Sequence, residues 1–284
     1  MKFAPFEYAS PQTLDEAVRL LGNENAKALA GGQSLLPTMA FRLATPGLLV
    51  DLARIPGLDR IELDESGARL GARVRWRDIE KNERLARAQP LLAAAIAHVA
   101  HYQIRNRGTV GGSLAHADPA AEMPGVAVAC DAILEVIGKR GRRSIEAGRF
   151  FTGALSTALA QEELIVSVRL PAWPATRRWA FEEFARRRGD FAMAGALVFY
   201  DYLDGRATNA HIGVIGACTR PHRIAAAEAL LNGSAVDDAA IQAAARAAEK
   251  AIDPPSDLHA SAEYRRSLFG TLLERALAHS RRRS

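Results

Sequence analysis

The chain has 284 residues, of which 49% are hydrophobic and 24% charged, and a formal net charge of +5. That size and balance fit a soluble globular protein of two ordinary domains. Two isolated cysteines, Cys130 and Cys218, offer neither a CxxC metal or redox site nor a disulfide framework, so redox chemistry requires a bound cofactor.

Much of the excess positive charge lies in the arginines at 186–188 and 281–283. Neither group is interleaved with the aromatics of a single-strand platform, so nucleic acid is not expected as a partner, and the tail reads as a solvated, frayed end. The opening MKFAPFEYASPQTLDEAV lacks the apolar run of a signal peptide, and no stretch of about eighteen apolar residues provides a membrane span. The expected location is the cytoplasm.

In chain order, a short extended piece leads to a helix whose start is marked by Thr13 and Glu16 at capping-box spacing, with Leu14, Ala17, Val18 and Leu21 on one face. Residues 26–30 (AKALA) read as a buried strand running into Gly31 and Gly32. LLPTMAFRL then starts as a helix with Pro37 in its first turn, and 47–52 (GLLVDL) is a second buried strand. Residues 61–74 form a hairpin turning at 65–67. A helix is expected from about Leu91 to His101, carrying Leu92, Ile96, Val99 and Ala100 on one side and feeding a glycine-rich loop. Beyond the loop, Asp118 and Pro119 suit the N-cap and first turn of a helix through Val128. Strands follow at 133–138 and 164–170, and the prolines of PAWPATRR end the first domain near 171–176. In the second part, two apolar runs flank Asp204-Gly205, a strong hairpin signal, and helices follow at 224–231, 237–252 and 260–279. A small meander with helices on one side makes an α+β domain.

Two glycine segments carry the chemistry. KALAGGQSLLP has the order strand, tight turn, helix. Such a turn leaves backbone N–H groups unpaired and pointing one way, where a phosphate satisfies them. Gly31 and Gly32 permit positive φ and close approach, while Ser34 offers a hydroxyl donor or a helix cap. The stretch IRNRGTVGGSLAHADPAAEMP repeats the pattern, with Gly108, Thr109, Gly111 and Gly112 as a second bare-backbone turn and Ser113 and Asp118 as polar groups beyond it. Either segment alone reads as an ordinary turn. Together they are placed to clamp the two phosphates of a dinucleotide from opposite sides. Neither is GxGxxG with a ribose-binding acid after it, and no GxxxxGK[ST] occurs, so the Rossmann and P-loop sites are excluded.

AGGQSLLPTMAFRLATPGLLVDLARIPGL and IRNRGTVGGSLAHADPAAEMP, with FEYASPQTLDEAVRLL, GRFFTG, EELIVSVRLP, RRRGDFAMAG and ASAEYRRSL in order along the chain, resemble the FAD-binding subunit of the molybdenum hydroxylases, of the carbon monoxide dehydrogenase medium-chain or xanthine dehydrogenase flavoprotein type. The resemblance implies an α+β protein. Its p-cresol methylhydroxylase-type FAD-binding domain at 1–173 has two α/β subdomains, and a smaller C-terminal domain at 177–284 has an antiparallel sheet and helices. It implies that Ala30, Gly31, Gly32, Gln33, Ser34 and Leu35, with Thr109, Val110, Gly111, Gly112 and Ser113, wrap the pyrophosphate and ribityl chain. Asp118 and Glu122 occupy the family's acidic pair, one of which hydrogen-bonds the cofactor; many relatives have aspartate at the second position. Ile165 would touch the ring system, Phe191 would be the ring-facing aromatic, and Arg187 the nearest basic residue. Glu182 and Glu183 stand where several relatives carry lysine.

The implied function is electron transfer. A molybdopterin subunit oxidises substrate, an iron–sulfur subunit relays the electrons, and the FAD of this subunit passes them to an external acceptor. The chain itself has no cysteine cluster for an iron–sulfur centre, and no catalytic residue or metal ligand is assigned to it. Two other readings stay open from sequence: a self-contained FAD-dependent reductase on the same fold, and a non-catalytic basic binding module.

Overall fold

The computed structural model describes residues 2–282. Arg283, and the chain-end residues assigned to the two domains, lie outside the described residues. The first helix, Leu14–Leu21, begins where Thr13 accepts the N–H of Glu16 at 3.2 Å, and the Glu16 carboxylate reaches back to the N–H of Gln12 at 3.1 Å. Ala17, Val18 and Leu21 then cover a three-stranded parallel sheet in the order Glu7–Ala9, Leu48–Asp51, Ala26–Leu29.

A five-stranded antiparallel sheet forms the second layer, ordered Ile61–Asp64, Gly67–Gly71, Leu164–Pro171, Ile133–Gly138, Gly141–Glu146. Leu58, Ile137, Leu164 and Val166 share a core with the parallel sheet. On its other side lies helix Glu122–Ala129, buried at every residue. Its sequence, EMPGVAVA, is apolar all round after the first position, and such a helix is stable only with protein on every side. Gly125 admits the neighbouring sheet, since a Cβ there would stand 2.4 Å from Cγ2 of Ile215.

That neighbour is the four-stranded antiparallel sheet of the second half: Arg177–Phe184, Ala194–Leu203, Arg206–Ile215 and His222–Arg223. Asp204 and Gly205 both have positive φ, 51° and 76°, as a two-residue primed turn demands. Alternation divides this sheet between two cores. Ala180, Val198 and Ile212 face helices Ala225–Leu231, Asp238–Ala251 and Ala262–Arg281, whereas Phe181, Leu197, Phe199 and Ile215 join the core of the first half. The two halves therefore meet through a continuous apolar seam.

Three local expectations need correction. The helix expected to reach His101 spans Pro90–Ile96; Ala100 has a positive φ of 41°, and a separate short helix, Tyr102–Arg105, follows. The chain from Ile104 to Pro124 is not one loop: Val110–His116 is helical and stops at Ala117, whose left-handed φ of 54° turns the chain. Arg281, read as part of a frayed tail, belongs to the last helix and pairs with Asp238 at 2.8 Å.

Candidate functional site

The first glycine turn is open to a ligand. Among the described residues no acceptor takes the N–H of Gly31, Gly32, Gln33, Ser34 or Leu35; the first N–H to bond backwards is that of Leu36, to Gly32 O at 3.1 Å. Gly32 has φ +74°, and the Gln33 side chain steadies the loop by donating to Gly31 O at 3.1 Å. Ser34 makes no side-chain cap and its residue is exposed, so its hydroxyl stays free; helix Leu35–Ala40 is instead tied at its start by Thr38, which donates to Ser34 O at 2.5 Å. Consecutive unpaired N–H groups form an anion-binding concavity.

The second glycine segment lies directly against the first. A Cβ on Gly31 would stand 2.3 Å from Arg107 O and 3.0 Å from the Cα of Gly108, and one on Gly112 would meet Ala30 Cβ at 4.0 Å. Its backbone, however, is not bare. Val110 N–H goes to Val74 O at 2.9 Å and Gly111 N–H to Ala72 O at 2.8 Å, while Thr109 caps helix Val110–His116 by accepting from Gly112 N at 3.2 Å. The glycines here serve close packing: Gly111 stands where a Cβ would be 2.6 Å from Ala72 Cβ, and Gly108 where it would be 2.6 Å from Trp76 Nε1. Val110 is core, and Ser113 is half-buried.

Asp118 begins the turn that follows. Its Oδ1 accepts the N–H of Ala120 at 2.9 Å, so it stabilises an Asx turn and does not cap a helix; the helix starts four residues later, at Glu122. The turn forms one wall of a cleft of about 930 Å³ between the two halves. Across it stand Arg186, Arg187 and Phe191, on the connector between strands Arg177–Phe184 and Ala194–Leu203. Phe191 is 68% exposed, an unusual amount for a phenylalanine with a deep core nearby, and it presents its ring to the cleft opening.

Glu122 is buried at the start of its helix, and burial pushes its carboxyl up to about 7. A second carboxyl, Glu183, faces it from the sheet with a side chain only 4% exposed; burial first, and then the charge of Glu122, push it up to about 8. Its Oε2 has no hydrogen-bond partner among the described residues, and His98 Nδ1 is 4.0 Å from Oε1. Burial also pulls His98 down, so it supplies no reliable countercharge at neutral pH. Period-two alternation puts Glu183 on the face of Phe181, which is the signal by which its burial was legible in the sequence.

The structure thus joins the two glycine segments to each other, and Asp118, Arg187 and Phe191 around one cleft. Ile165 stands apart from the cleft, 5% exposed in the core of the first half, beside a register shift in strand Leu164–Pro171. Arg265, Asp257 and Cys218, which sequence reasoning passed over, line the cleft with them.

Comparison with known proteins gives the chain a family. Residues 4–173 match the model for the FAD binding domain in molybdopterin dehydrogenase, and 179–280 that for the CO dehydrogenase flavoprotein C-terminal domain. The nicotine 6-hydroxylase medium subunit of Paenarthrobacter nicotinovorans is 43% identical over 99% of both chains. The carbon monoxide dehydrogenase medium chain of Hydrogenophaga pseudoflava is 37% identical over 96% of both. Quinoline 2-oxidoreductase from Pseudomonas putida 86 superimposes with a TM-score of 0.94 at 37% identity, over 99% of this chain and 98% of that one. The chain therefore belongs to the family of FAD-binding flavoprotein subunits of the molybdopterin dehydrogenases, which are oxidoreductases, and FAD is its cofactor.

Proposed function

We propose that this chain is the electron-transfer flavoprotein of a molybdenum-containing hydroxylase or dehydrogenase complex in the cytoplasm, taking electrons from an iron–sulfur subunit that serves a molybdopterin subunit and releasing them to an external acceptor. The run of unpaired N–H groups from Gly31 to Leu35 carries the reading, because it supplies several donors to one anion and has no structural use of its own. When bound, FAD supplies the redox chemistry, and the protein supplies binding, orientation and electrostatics.

Ala30, Gly31, Gly32, Gln33, Ser34 and Leu35 hold the pyrophosphate. Thr109, Val110, Gly111, Gly112 and Ser113 shape the opposite wall, at a backbone separation from the first segment that only glycine at Gly31 allows, while Gly111 lets that wall pack on Ala72. Asp118 and Glu122 face the cofactor's polar edge, Arg187 and Phe191 border the ring at the cleft opening, and Ile165 supports the ring from within the core. The FAD-binding unit spans 1–173, and the covering domain 177–284.

The test is the complete complex. Substrate should bleach the flavin absorbance in the assembled enzyme, whereas the isolated yellow chain should release FAD on denaturation and show no steady turnover of NAD(P)H or substrate. Steady turnover by the isolated chain would replace this reading with that of a self-contained reductase.

A further inference from the structure

Helix Ala262–Arg281 carries a buried arginine that the cofactor site leaves unexplained. Arg265 is 5% exposed, and its Nη1 donates to Met193 O at 2.8 Å and to Gly216 O at 3.0 Å, while Nη2 reaches Asp257 Oδ2 at 2.7 Å. Each acceptor sits on a different wall of the cleft. Met193 closes the connector bearing Phe191, through its N–H to Phe184 O at 2.8 Å. Gly216 donates its own N–H to Pro119 O at 2.9 Å, in the Asp118 turn, and its φ of +72° with a would-be Cβ 2.6 Å from Ala192 O lets it pack against the end of the Phe191 connector as only glycine can. Asp257 belongs to the proline-containing strap at 253–260.

A buried guanidinium is costly to place unless its donors are used; here Nη1 is spent on two backbone carbonyls of the site and Nη2 on the Asp257 carboxylate, while Nε has no partner among the described residues. We infer that Arg265 is a positioning residue of the flavin cleft: it clasps the Phe191 connector, the Gly216–Pro119 seam and the 253–260 strap into one wall. Phe191 owes its position beside the ring to this clasp. The inference rests on the reading of the cleft as the place of the FAD ring.

Cys218 reports on the clasp without any flavin. It lines the same cleft, is 2% exposed, and contacts Val214 O at 3.6 Å and Pro119 O at 4.0 Å; burial pushes its thiol up to about 12. Cys130, buried in the other half, serves as the internal control.

The experiment compares the full-length wild type with Arg265→Gln and Asp257→Asn, measuring N-ethylmaleimide labelling of each cysteine by peptide mass spectrometry and the visible-region circular dichroism of bound FAD. Arg265→Gln should label Cys218 at least about tenfold faster, the change expected in a local opening when even one of its three charge-assisted hydrogen bonds is lost, with Cys130 unchanged and the flavin dichroism altered. Asp257→Asn, which keeps both carbonyl contacts, should shift both readouts in the same direction and less; if Arg265→Gln fails to fold, it decides alone. Unchanged Cys218 labelling and dichroism in a folded variant, or equal acceleration at both cysteines, would overturn the inference. A wild type that takes up no FAD would instead refute the flavin reading, and the labelling would still show whether the clasp sets the wall.

Discussion

Replacing Glu183 with glutamine tests the pair of buried carboxyls, Glu122 and Glu183, between the two halves. The carboxyl of Glu183 is raised from an ordinary value of 4.5 to about 8, and that of Glu122 to about 7, chiefly by burial. Both groups therefore hold protons more tightly folded than unfolded between those limits. The stability they permit is complete below about pH 4.5 and is lost as pH rises through 7 and 8. At roughly 1.4 kcal/mol per pKa unit, the Glu183 shift corresponds to about 4 to 5 kcal/mol at pH 8. Glutamine removes that penalty but buries an amide whose partners are absent, at about 1–3 kcal/mol. The net expectation is a variant more stable by about 2 kcal/mol at pH 8, which is roughly 4–8 °C in melting temperature, and no more stable than wild type at pH 4.5. Thermal melts followed by far-ultraviolet circular dichroism across that pH range measure it. Parallel curves for the two proteins would show that Glu183 does not titrate in the seam and refute the argument.

Three further substitutions probe the site and its frame. Gly31→Ala sets a Cβ 2.3 Å from the carbonyl oxygen of Arg107, so the two glycine segments must part; FAD affinity measured by flavin fluorescence should fall at least about tenfold, near 1.4 kcal/mol, while melting of the second domain is unchanged. Thr109→Val keeps the shape and removes the buried acceptor of the Gly112 N–H, with an expected loss of about 1–2 kcal/mol in urea unfolding. Arg223→Met abandons two-pronged contacts to Asp131 at 2.9 and 2.7 Å and to Glu228 at 2.8 and 2.9 Å. Because Glu228 is 9% exposed on its side chain and would be left as a buried charge, the cost should be about 3 kcal/mol in the same assay.

Elements with strong local signals were legible in the sequence. Thr13 caps a helix where the capping-box spacing placed it, the helices expected at 237–252 and 260–279 span Asp238–Ala251 and Ala262–Arg281, and Asp204-Gly205 turns the hairpin it announced. The misreadings fall where local chemistry competes with tertiary demand. Asp118 followed by Pro119 is a good helix start in isolation, yet the carboxylate bonds two residues on, and the helix waits for Glu122 because only from there can an all-apolar segment enter the space between two sheets. Leu92, Ile96 and Val99 keep helical spacing past the end of their helix, where the left-handed Ala100 breaks it. Arg265 lies in the ASAEYRRSL segment that carries part of the resemblance, but nothing there pointed to its contacts: they depend on carbonyls 72 and 49 residues away, and no periodicity encodes such a contact.

The glycines show why composition alone overstated the symmetry of the site. A glycine admits a ligand to the backbone, or it admits another backbone, and the sequence does not say which. At Gly108 and Gly111 the space that a Cβ would take is already filled by Trp76 and Ala72, and the N–H groups of Val110 and Gly111 are spent on Val74 and Ala72. At Gly31 to Leu35 the N–H groups remain unspent. On the proposed reading most donors to an anion therefore come from the first segment, although the Thr109 N–H also has no acceptor among the described residues, and the second segment contributes mainly shape. On that reading substitutions in the turn at 31–35 act on the bound anion directly, whereas those at 108 and 111 act by displacing the second segment from Trp76 and Ala72. Gly111→Ala should therefore lower the melting temperature of the FAD-binding half with or without FAD, because its Cβ strikes Ala72, while Gly31→Ala should cost more affinity than stability. Equal loss of affinity and stability in both variants would mean that the two segments act as one rigid unit, and the division of labour between donor and wall would fail.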